Sequence, residues 1–159
     1  MTVRVGLGYD VHPFAADPDR ALVLAGVRID GHAGLHGHSD ADAVAHAVAD
    51  AVLGPAGLPD LGTLFPSSDD RHRGASSMEL LADVVARVRR EGWTVGNVDV
   101  VVHAEEPPLA AHVAAMVDNL VAVVGGFVSV TPKRGEGIGE VGRGEAVQVW
   151  AVALVERTP

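Results

Sequence analysis

One amphipathic stretch, residues 38–52, constrains the fold of this chain more than any other. Its apolar residues recur at the three- and four-residue spacing of a helix with one buried face. They are Val44, Ala47, Val48, Ala51 and Val52. Ser39 can serve as the N-cap, with Asp42 three residues later in a capping-box-like arrangement. We therefore expect a capped helix that ends near the Gly/Pro stop of residues 53–55.

A second face of the same helix carries polar groups. Asp42, His46 and Asp50 are four residues apart, so their side chains share one side of the helix. A histidine with a carboxylate one turn away is typical of a metal ligand held by an outer hydrogen-bond acceptor. The same pattern is equally typical of a solvated polar face. The helix alone leaves both interpretations open.

The N-terminal segment offers further metal ligands. Residues 4–9 predict a strand whose glycines leave room for a close neighbour, and Asp10 and His12 follow them. Residues two apart on an extended chain point the same way, so these two side chains face one point. Together with His46 they would suit zinc with an open fourth position. Taken as an isolated pair, they favour a turn-entry aspartate and a surface histidine, because Pro13 follows at once.

Composition excludes several classes of protein. The 159 residues include no cysteine, which excludes disulfides and thiolate metal sites, and the formal net charge of −9 argues against a nucleic-acid partner. No apolar run approaches the ~20 residues of a membrane span, and the start lacks the apolar block of a signal peptide, so we expect a cytoplasmic protein. Aromatic residues make up only 4% of the chain, which makes a deep single-subunit core hard to fill and favours oligomerisation.

The remaining chain alternates between strand and helix patterns. The predicted elements are a bent hairpin over residues 21–29, a helix capped at Ser76 or Ser77 and ending at Glu91, a strand over 93–103, a helix from Pro107-Pro108, and strands over 128–131 and 147–155. We expect an α+β fold in which residues 1–159 form a single domain, with one mixed sheet covered by helices.

A second candidate site is the glycine-rich loop of residues 135–144. Lys133 and Arg134 precede it, and Arg143 lies between two of its glycines. Glycines let backbone N–H groups approach an anion, arginine can bind phosphate with both arms of its fork, and Glu136 could hold a hard divalent cation. By itself the loop favours a mobile hairpin with solvated charges. Both sites together would permit metal-assisted phosphoryl chemistry.

Several short motifs occur in one characteristic order. They are Gly8-Tyr9-Asp10-Val11-His12, Gly37-His38-Ser39-Asp40-Ala41-Asp42, residues 46–54, Asp60-Leu61-Gly62 with Leu64-Phe65-Pro66, Gly96-Asn97-Val98-Asp99 and Gly142-Arg143-Gly144-Glu145. In this order and spacing, from about Arg4 to Val155, the chain resembles the 2-C-methyl-D-erythritol 2,4-cyclodiphosphate synthase family.

The resemblance implies an enzyme of the non-mevalonate isoprenoid pathway. The family cyclises 4-CDP-2-C-methyl-D-erythritol 2-phosphate and releases CMP. It is a homotrimer around a central channel, with active sites between neighbouring subunits. By resemblance, Asp10, His12 and His46 hold zinc. Glu136 then holds the magnesium or manganese that bridges the diphosphate.

The resemblance also assigns roles to individual side chains. His38 would stabilise the transition state, and Ser39 beside it would contact the substrate. Arg143, with Glu145 near it, would face the channel along the three-fold axis. The implied substrate-binding residues are Asp10, His12, His38, Ser39, Asp60, Gly62, Phe65, Asp69, Lys133, Glu136 and Arg143.

The chain departs from the family pattern mainly in the nucleotide half. Lys133-Arg134-Gly135 replaces a run of threonines, one of which assists the transition state, so that catalytic role would fall to Arg134. Pro108 stands where the family usually has a lysine, and Ser67 stands where it usually has an acidic residue. Glu140 stands where the family usually has an apolar residue in the pore, and its charge would repel an isoprenoid diphosphate in the channel. These departures leave three interpretations. The side chains of Lys133 and Arg134 replace the hydroxyl donors of the threonines, or the chain is a divergent paralogue that acts on another diphosphate substrate, or it is a non-catalytic metal-binding trimer.

Overall fold

Strands and helices alternate along residues 1–157, which are the residues that this computed structural model describes. The strands are β1 (Thr2–Pro13), β2 (Leu22–Leu24), β3 (Val27–Ile29), β4 (Thr94–His103), β5 (Phe127–Lys133) and β6 (Ala146–Arg157). The helices are α1 (Ala43–Ala56), α2 (Leu61–Leu64), α3 (Ser77–Arg90), α4 (Val113–Val124) and α5 (Gly139–Gly142). Short 3₁₀ turns cover Asp70–His72 and Ala110–His112.

Four strands form a mixed sheet in the order β1-β6-β4-β5, and β2 and β3 form a separate hairpin. β6 runs antiparallel to both of its neighbours, whereas β4 and β5 are parallel. Helix α1 packs on β1 and β6, and α4 packs on β5. The predicted α+β fold with one mixed sheet is confirmed. The predicted hairpin consists of two strands, and the one-turn helices α2 and α5 are additions to the predicted elements.

Glycines of β1 determine how closely α1 approaches the sheet. A Cβ atom on Gly8 would lie 1.8 Å from the carbonyl oxygen of Ala47, and one on Gly6 would lie 2.0 Å from that of Ala51. Because neither distance is sterically possible, only glycine allows the helix backbone to rest on this strand. The contact places the polar side of α1 beside the inward-facing side chains of β1, and this position builds the site described below.

The outward face of the sheet is apolar and open. On β1 the alternate residues from Val3 to Val11 are exposed, including Leu7 at 68%, and on β6 Trp150 and Val152 are also exposed. The inward positions of β4 and β6 carry fully buried valines and alanines. The sequence did not define the composition of this outer face. Its apolar character is unusual for a surface that stays in contact with water.

The predicted N-cap of α1 is wrong. Asp42, rather than Ser39, begins the helix, and its carboxylate accepts hydrogen bonds from the N–H groups of Val44 and Ala45 at 3.1 and 3.0 Å. The same fully buried carboxylate accepts from the N–H groups of Ala25 and Gly26 at 2.8 and 2.7 Å. Asp42 therefore joins the start of α1 to the corner of the β2–β3 hairpin, and it is not part of a solvated face.

Other element boundaries differ from the prediction by short distances. α1 includes Pro55 and ends at Ala56, and the next residue, Gly57, adopts the left-handed conformation of a helix C-cap. α4 begins at Val113 instead of at the two prolines, because a 3₁₀ turn precedes it. The glycine-rich loop contains the one-turn helix α5. Within residues 1–157, no helix is long and apolar enough to cross a membrane.

Candidate metal centre and neighbouring cavities

Three potential metal ligands meet where α1 crosses β1. Asp10 and His12 occupy alternate positions on the inward side of β1, and His46 lies on α1. The Asp10 carboxylate oxygen Oδ2 is 2.9 Å from Nε2 of His12 and 3.0 Å from Nδ1 of His46. The two imidazole nitrogens are 3.3 Å apart. The predicted convergence of these three side chains is therefore present.

The spacing of these atoms suits a small, tetrahedrally coordinated cation. Ligands bound to zinc at 2.0–2.1 Å with tetrahedral angles lie about 3.3 Å apart. The donor set of one carboxylate oxygen and two imidazole nitrogens is typical of zinc sites that keep a position open for water or substrate. The cluster faces a cavity, so a fourth ligand has access from that side.

Hydrogen bonds on the far side of each imidazole fix its orientation. Nδ1 of His12 lies 2.7 Å from the carbonyl oxygen of His36, so this nitrogen is the donor and Nε2 is free for a metal. Nε2 of His46 lies 2.9 Å from the hydroxyl of Ser77, which in turn donates to the carboxylate of Asp40. Such outer partners are typical of metal-binding histidines.

The three ligands also influence one another's ionisation. Burial alone would raise the pKa of Asp10, but its hydrogen bonds with His12 and His46 outweigh burial and hold the pKa below the usual range. Burial alone would lower the pKa of His12, and the hydrogen bond with Asp10 reverses that effect. The aspartate is therefore ionised at neutral pH, as a metal ligand must be. A bound cation would compete with the histidine protons.

The cluster lies in a cavity of about 340 Å³. Of the other predicted site residues, His38, Ser39, Gly62 and Phe65 line it. The ring of His38 is held through Nε2, which is 3.2 Å from the carbonyl oxygen of Asp69. The remaining lining residues are Asp50, Leu61, Ser67, His72 and Leu80. Apolar side chains of α2 and α3 thus face the polar cluster across the cavity.

Two predicted carboxylates are engaged in local hydrogen bonds instead. Asp60 caps α2 through the N–H group of Thr63 at 2.7 Å, a bond that lowers the pKa of this aspartate. Asp69 is bound by the guanidinium of Arg71 at 2.6 Å, which lowers the pKa of Asp69 to about 2. Among the described residues, neither carboxylate is part of the cavity lining.

The predicted nucleotide half lines a different cavity, of about 170 Å³. Lys133 and Arg134 border it, together with Ala104, Glu105, Pro107, Pro108, Leu109, Ala110 and Pro132. Within this chain, Lys133 and Arg134 do not border the cavity of the metal cluster. The two halves of the predicted site therefore lie apart within this chain.

Glu105 organises the loop that follows β5. Its carboxylate accepts from the guanidinium of Arg134 at 2.8 Å and from the N–H groups of Gly135 and Glu136 at 2.9 and 3.1 Å. The hydrogen bond from Arg134 holds the pKa of Glu105 below its usual value. Farther along, Arg143 pairs with Glu145 at 2.8 Å. The start of the loop is thus hydrogen-bonded to Glu105 just after β4, while its charged side chains are exposed to solvent, as its composition favoured.

Several side chains around the metal cluster escaped the sequence analysis. His72 lies in a segment without periodicity, and its ring packs edge-on against Phe65 at 5.2 Å. Ser77 was expected only as a possible helix cap, whereas Ser76 is the N-cap of α3 and Ser77, the first residue of the helix, binds His46. Asp50 was recognised on the polar face of α1 but not as a cavity residue, and its carboxylate accepts from the N–H group of Leu61 at 2.8 Å. No local pattern distinguishes the other two.

Comparison with known proteins agrees with this geometry. The model of the YgbB family matches residues 3–156. The 2-C-methyl-D-erythritol 2,4-cyclodiphosphate synthase of Rubrobacter xylanophilus is 51% identical over 97% of this chain and 95% of its own length. That of Bordetella petrii is 48% identical over 97% of this chain and 96% of its own length.

A solved structure extends the similarity to the backbone. The IspF of Plasmodium falciparum, solved as a CDP complex, is 29% identical and superposes with a TM-score of 0.85, covering 99% of this chain and 97% of its own. The similarities to the relatives span nearly the whole chain. The chain belongs to the YgbB family, together with relatives that are named 2-C-methyl-D-erythritol 2,4-cyclodiphosphate synthases.

Proposed function

We propose that this protein is a 2-C-methyl-D-erythritol 2,4-cyclodiphosphate synthase. It would convert 4-CDP-2-C-methyl-D-erythritol 2-phosphate to the 2,4-cyclodiphosphate and release CMP. The observation that carries this proposal is the cluster of Asp10, His12 and His46 on the wall of a cavity that also contains His38. Relatives that match nearly the whole chain carry the name of this enzyme.

The reaction joins two phosphates of like charge within one substrate. The 2-phosphate oxygen attacks the β-phosphorus, the bond from that phosphorus to the CMP oxygen breaks, and CMP leaves with the electron pair. Zinc at the cluster, with magnesium or manganese at Glu136, would neutralise and align the two phosphates. No protein nucleophile is needed. The contribution of the chain is positioning and charge stabilisation.

Individual side chains would divide this work. Asp10, His12 and His46 would hold zinc with one position open to a phosphate oxygen. His38, fixed by the carbonyl of Asp69, is directed into the cavity and would stabilise the transition state, and the neighbouring Ser39 would contact the substrate. Gly62 and Phe65 would border the methylerythritol part, together with Asp60 and Asp69 after rearrangement of their local bonds.

The second cavity would bind the cytidine nucleotide. It is bordered by prolines and by the cations Lys133 and Arg134, which would contact the diphosphate where threonines are usual. Arg134 is paired with Glu105, so a role in catalysis requires the substrate to compete for its guanidinium. The CDP complex of a relative with the same fold supports a cytidine site in this family.

Isothermal titration calorimetry tests this nucleotide site. Tight binding of CDP is the expected result, and absence of CDP binding would favour another substrate.

We further propose that the chain forms a homotrimer with active sites between subunits. The metal half and the nucleotide half line separate cavities within one chain, so a neighbouring subunit would be needed to unite them. The exposed apolar face of β1 and β6 offers a surface for that association. Arg143 would then face the central channel.

A charge on that face tests the assembly. Leu7 is 68% exposed on the outward side of β1, so Leu7→Glu leaves the core of the subunit intact but places carboxylates in the trimer contact. Light scattering is expected to show a trimer for the unchanged chain and a smaller species without cyclase activity for the variant. A monomeric unchanged protein would contradict the assembly.

Phosphorus NMR tests the activity directly. Purified protein with the CDP-linked substrate, zinc and magnesium is expected to yield the resonances of the cyclic diphosphate and of CMP in equal amounts. Removal of metal by a chelator is expected to stop the reaction, and readdition of zinc and magnesium to restore it. If neither product forms while CDP binds, the synthase assignment is wrong for this chain.

A further inference from the structure

Arg20 lies outside the metal cavity, yet its guanidinium binds the loop from which that cavity is built. Its Nε donates to the carbonyl oxygen of Leu35, and its Nη2 donates to those of Gly37 and Ser39 at 3.1 and 2.6 Å. Three alternate carbonyl groups of one short segment thus converge on a single cation. We call residues 35–39 the clamped loop.

The clamped loop contributes one outer contact to each metal-binding histidine, in addition to the contact of His46 with Ser77. The carbonyl oxygen of His36 fixes His12 through Nδ1 at 2.7 Å. The hydroxyl of Ser39 lies 3.3 Å from Nε2 of His46. His36 lies between two residues whose carbonyl groups bind Arg20, and the carbonyl group of Ser39 binds Arg20 directly. A shift of the loop would therefore change the orientation of both imidazoles.

The clamped loop also runs directly against a metal ligand. A Cβ atom on Gly37 would lie 2.8 Å from Cβ of Ala41 and 3.3 Å from Cε1 of the His12 ring. Glycine therefore leaves the His12 ring the space that a larger residue at position 37 would occupy, so the path of the loop and the position of this ring depend on each other. Arg20 binds the carbonyl of this glycine and so fixes the path of the loop beside His12.

Arginine suits this role better than other cations do. Its planar fork donates here from two separate nitrogens, Nε and Nη2, in fixed directions, whereas all the donors of lysine lie on one nitrogen at the end of a flexible chain. The backbone of Arg20 adds a further bond, since its carbonyl oxygen accepts from the N–H group of Gly34 at 2.9 Å. Both the main chain and the side chain of this residue therefore hold the start of the loop.

We infer that Arg20 is a positioning residue of the metal centre, which it orients through the clamped loop without touching the metal or the substrate. This inference rests on the proposed function, because it presumes metal binding by Asp10, His12 and His46. A purely structural arginine would affect only the stability of the fold. A positioning arginine affects the zinc affinity of the folded protein.

The test compares the zinc affinity of metal-free variants by competition with a chromophoric chelator. Arg20→Ala is expected to lower the affinity about 10–100-fold, as loss of an outer hydrogen-bond partner does in other metal sites. Arg20→Lys keeps the charge, and its zinc affinity is expected to lie between those of the unchanged protein and Arg20→Ala. Millimolar guanidinium is expected to restore part of the affinity of Arg20→Ala, and methylammonium is not. The matched control is Arg28→Ala, whose exposed side chain pairs with Asp30 at 2.9 Å.

The outcomes separate this inference from the proposed function. If Arg20→Ala binds zinc as tightly as the unchanged protein does, the role of Arg20 is overturned and the metal centre stands. If the alanine variant does not fold, an unchanged zinc affinity in Arg20→Lys has the same meaning. If the metal-free Arg20→Ala variant has a lower melting temperature but an unchanged zinc affinity, Arg20 has a structural role alone. Absence of zinc binding in the unchanged protein would overturn both.

Discussion

Replacing His46 by alanine is expected to abolish zinc binding and cyclase turnover while leaving the fold intact. The variant removes one of three clustered ligands, so the loss of zinc affinity is expected to exceed the about 10–100-fold effect of an outer partner. Helix α1 should persist because alanine is a better helix former than histidine. The measurements are zinc content after dialysis, phosphorus NMR of the reaction and far-ultraviolet circular dichroism.

A histidine outside the cavity serves as the control for this experiment. His112 lies at the start of α4 and makes no capping bond through its side chain, so His112→Ala is expected to keep both zinc and activity. Because His46 also binds Ser77, part of any change could come from the loss of that contact. Ser77→Ala removes the contact and keeps the ligand, and it is expected to weaken zinc binding less than His46→Ala. Full turnover by His46→Ala would disprove the metal assignment.

Replacing Asp42 by alanine is expected to destabilise the protein by about 3–5 kcal/mol. Loss of an N-cap costs roughly 0.5–2 kcal/mol. Each buried N–H group left without a partner adds about 1–3 kcal/mol. The fully buried carboxylate serves Val44 and Ala45 in the helix and Ala25 and Gly26 in the hairpin, so one substitution leaves both elements without acceptors. Urea denaturation of the metal-free protein measures the loss.

A series of substitutions distinguishes the roles of this carboxylate. Asp42→Asn retains one acceptor oxygen for the helix but turns an amide N–H₂ group towards a hairpin donor, so it is expected to be intermediate in stability. Asp118→Ala, an exposed change on α4, is expected to stay within about 0.5 kcal/mol of the unchanged protein. A loss below about 1 kcal/mol in Asp42→Ala would mean that water or neighbouring groups replace the carboxylate.

The sequence predicted most of the elements because their signals are local. The spacing of Val44, Val48 and Val52 identifies α1 without reference to any partner, and β4 and β6 are recognisable from their runs of valine. The positions of the helix ends were less certain. Ser39 and Asp42 are both suitable caps by residue type, and the choice between them depends on a hairpin that lies almost twenty residues earlier in the chain.

The sequence by itself determined which groups can hold a cation. With no cysteine available, the donors must be histidine or carboxylate groups, and the resemblance of the motifs selected Asp10, His12 and His46 among them. Their meeting at one point was decided by the tertiary structure. The glycines of β1 admit the backbone of α1, and Arg20 fixes the loop whose His36 carbonyl orients His12. The glycines of β1 indicated a close neighbour without identifying it. The groups that Arg20 and His12 bind are backbone carbonyls, which are the same in every residue, so no sequence pattern reveals them.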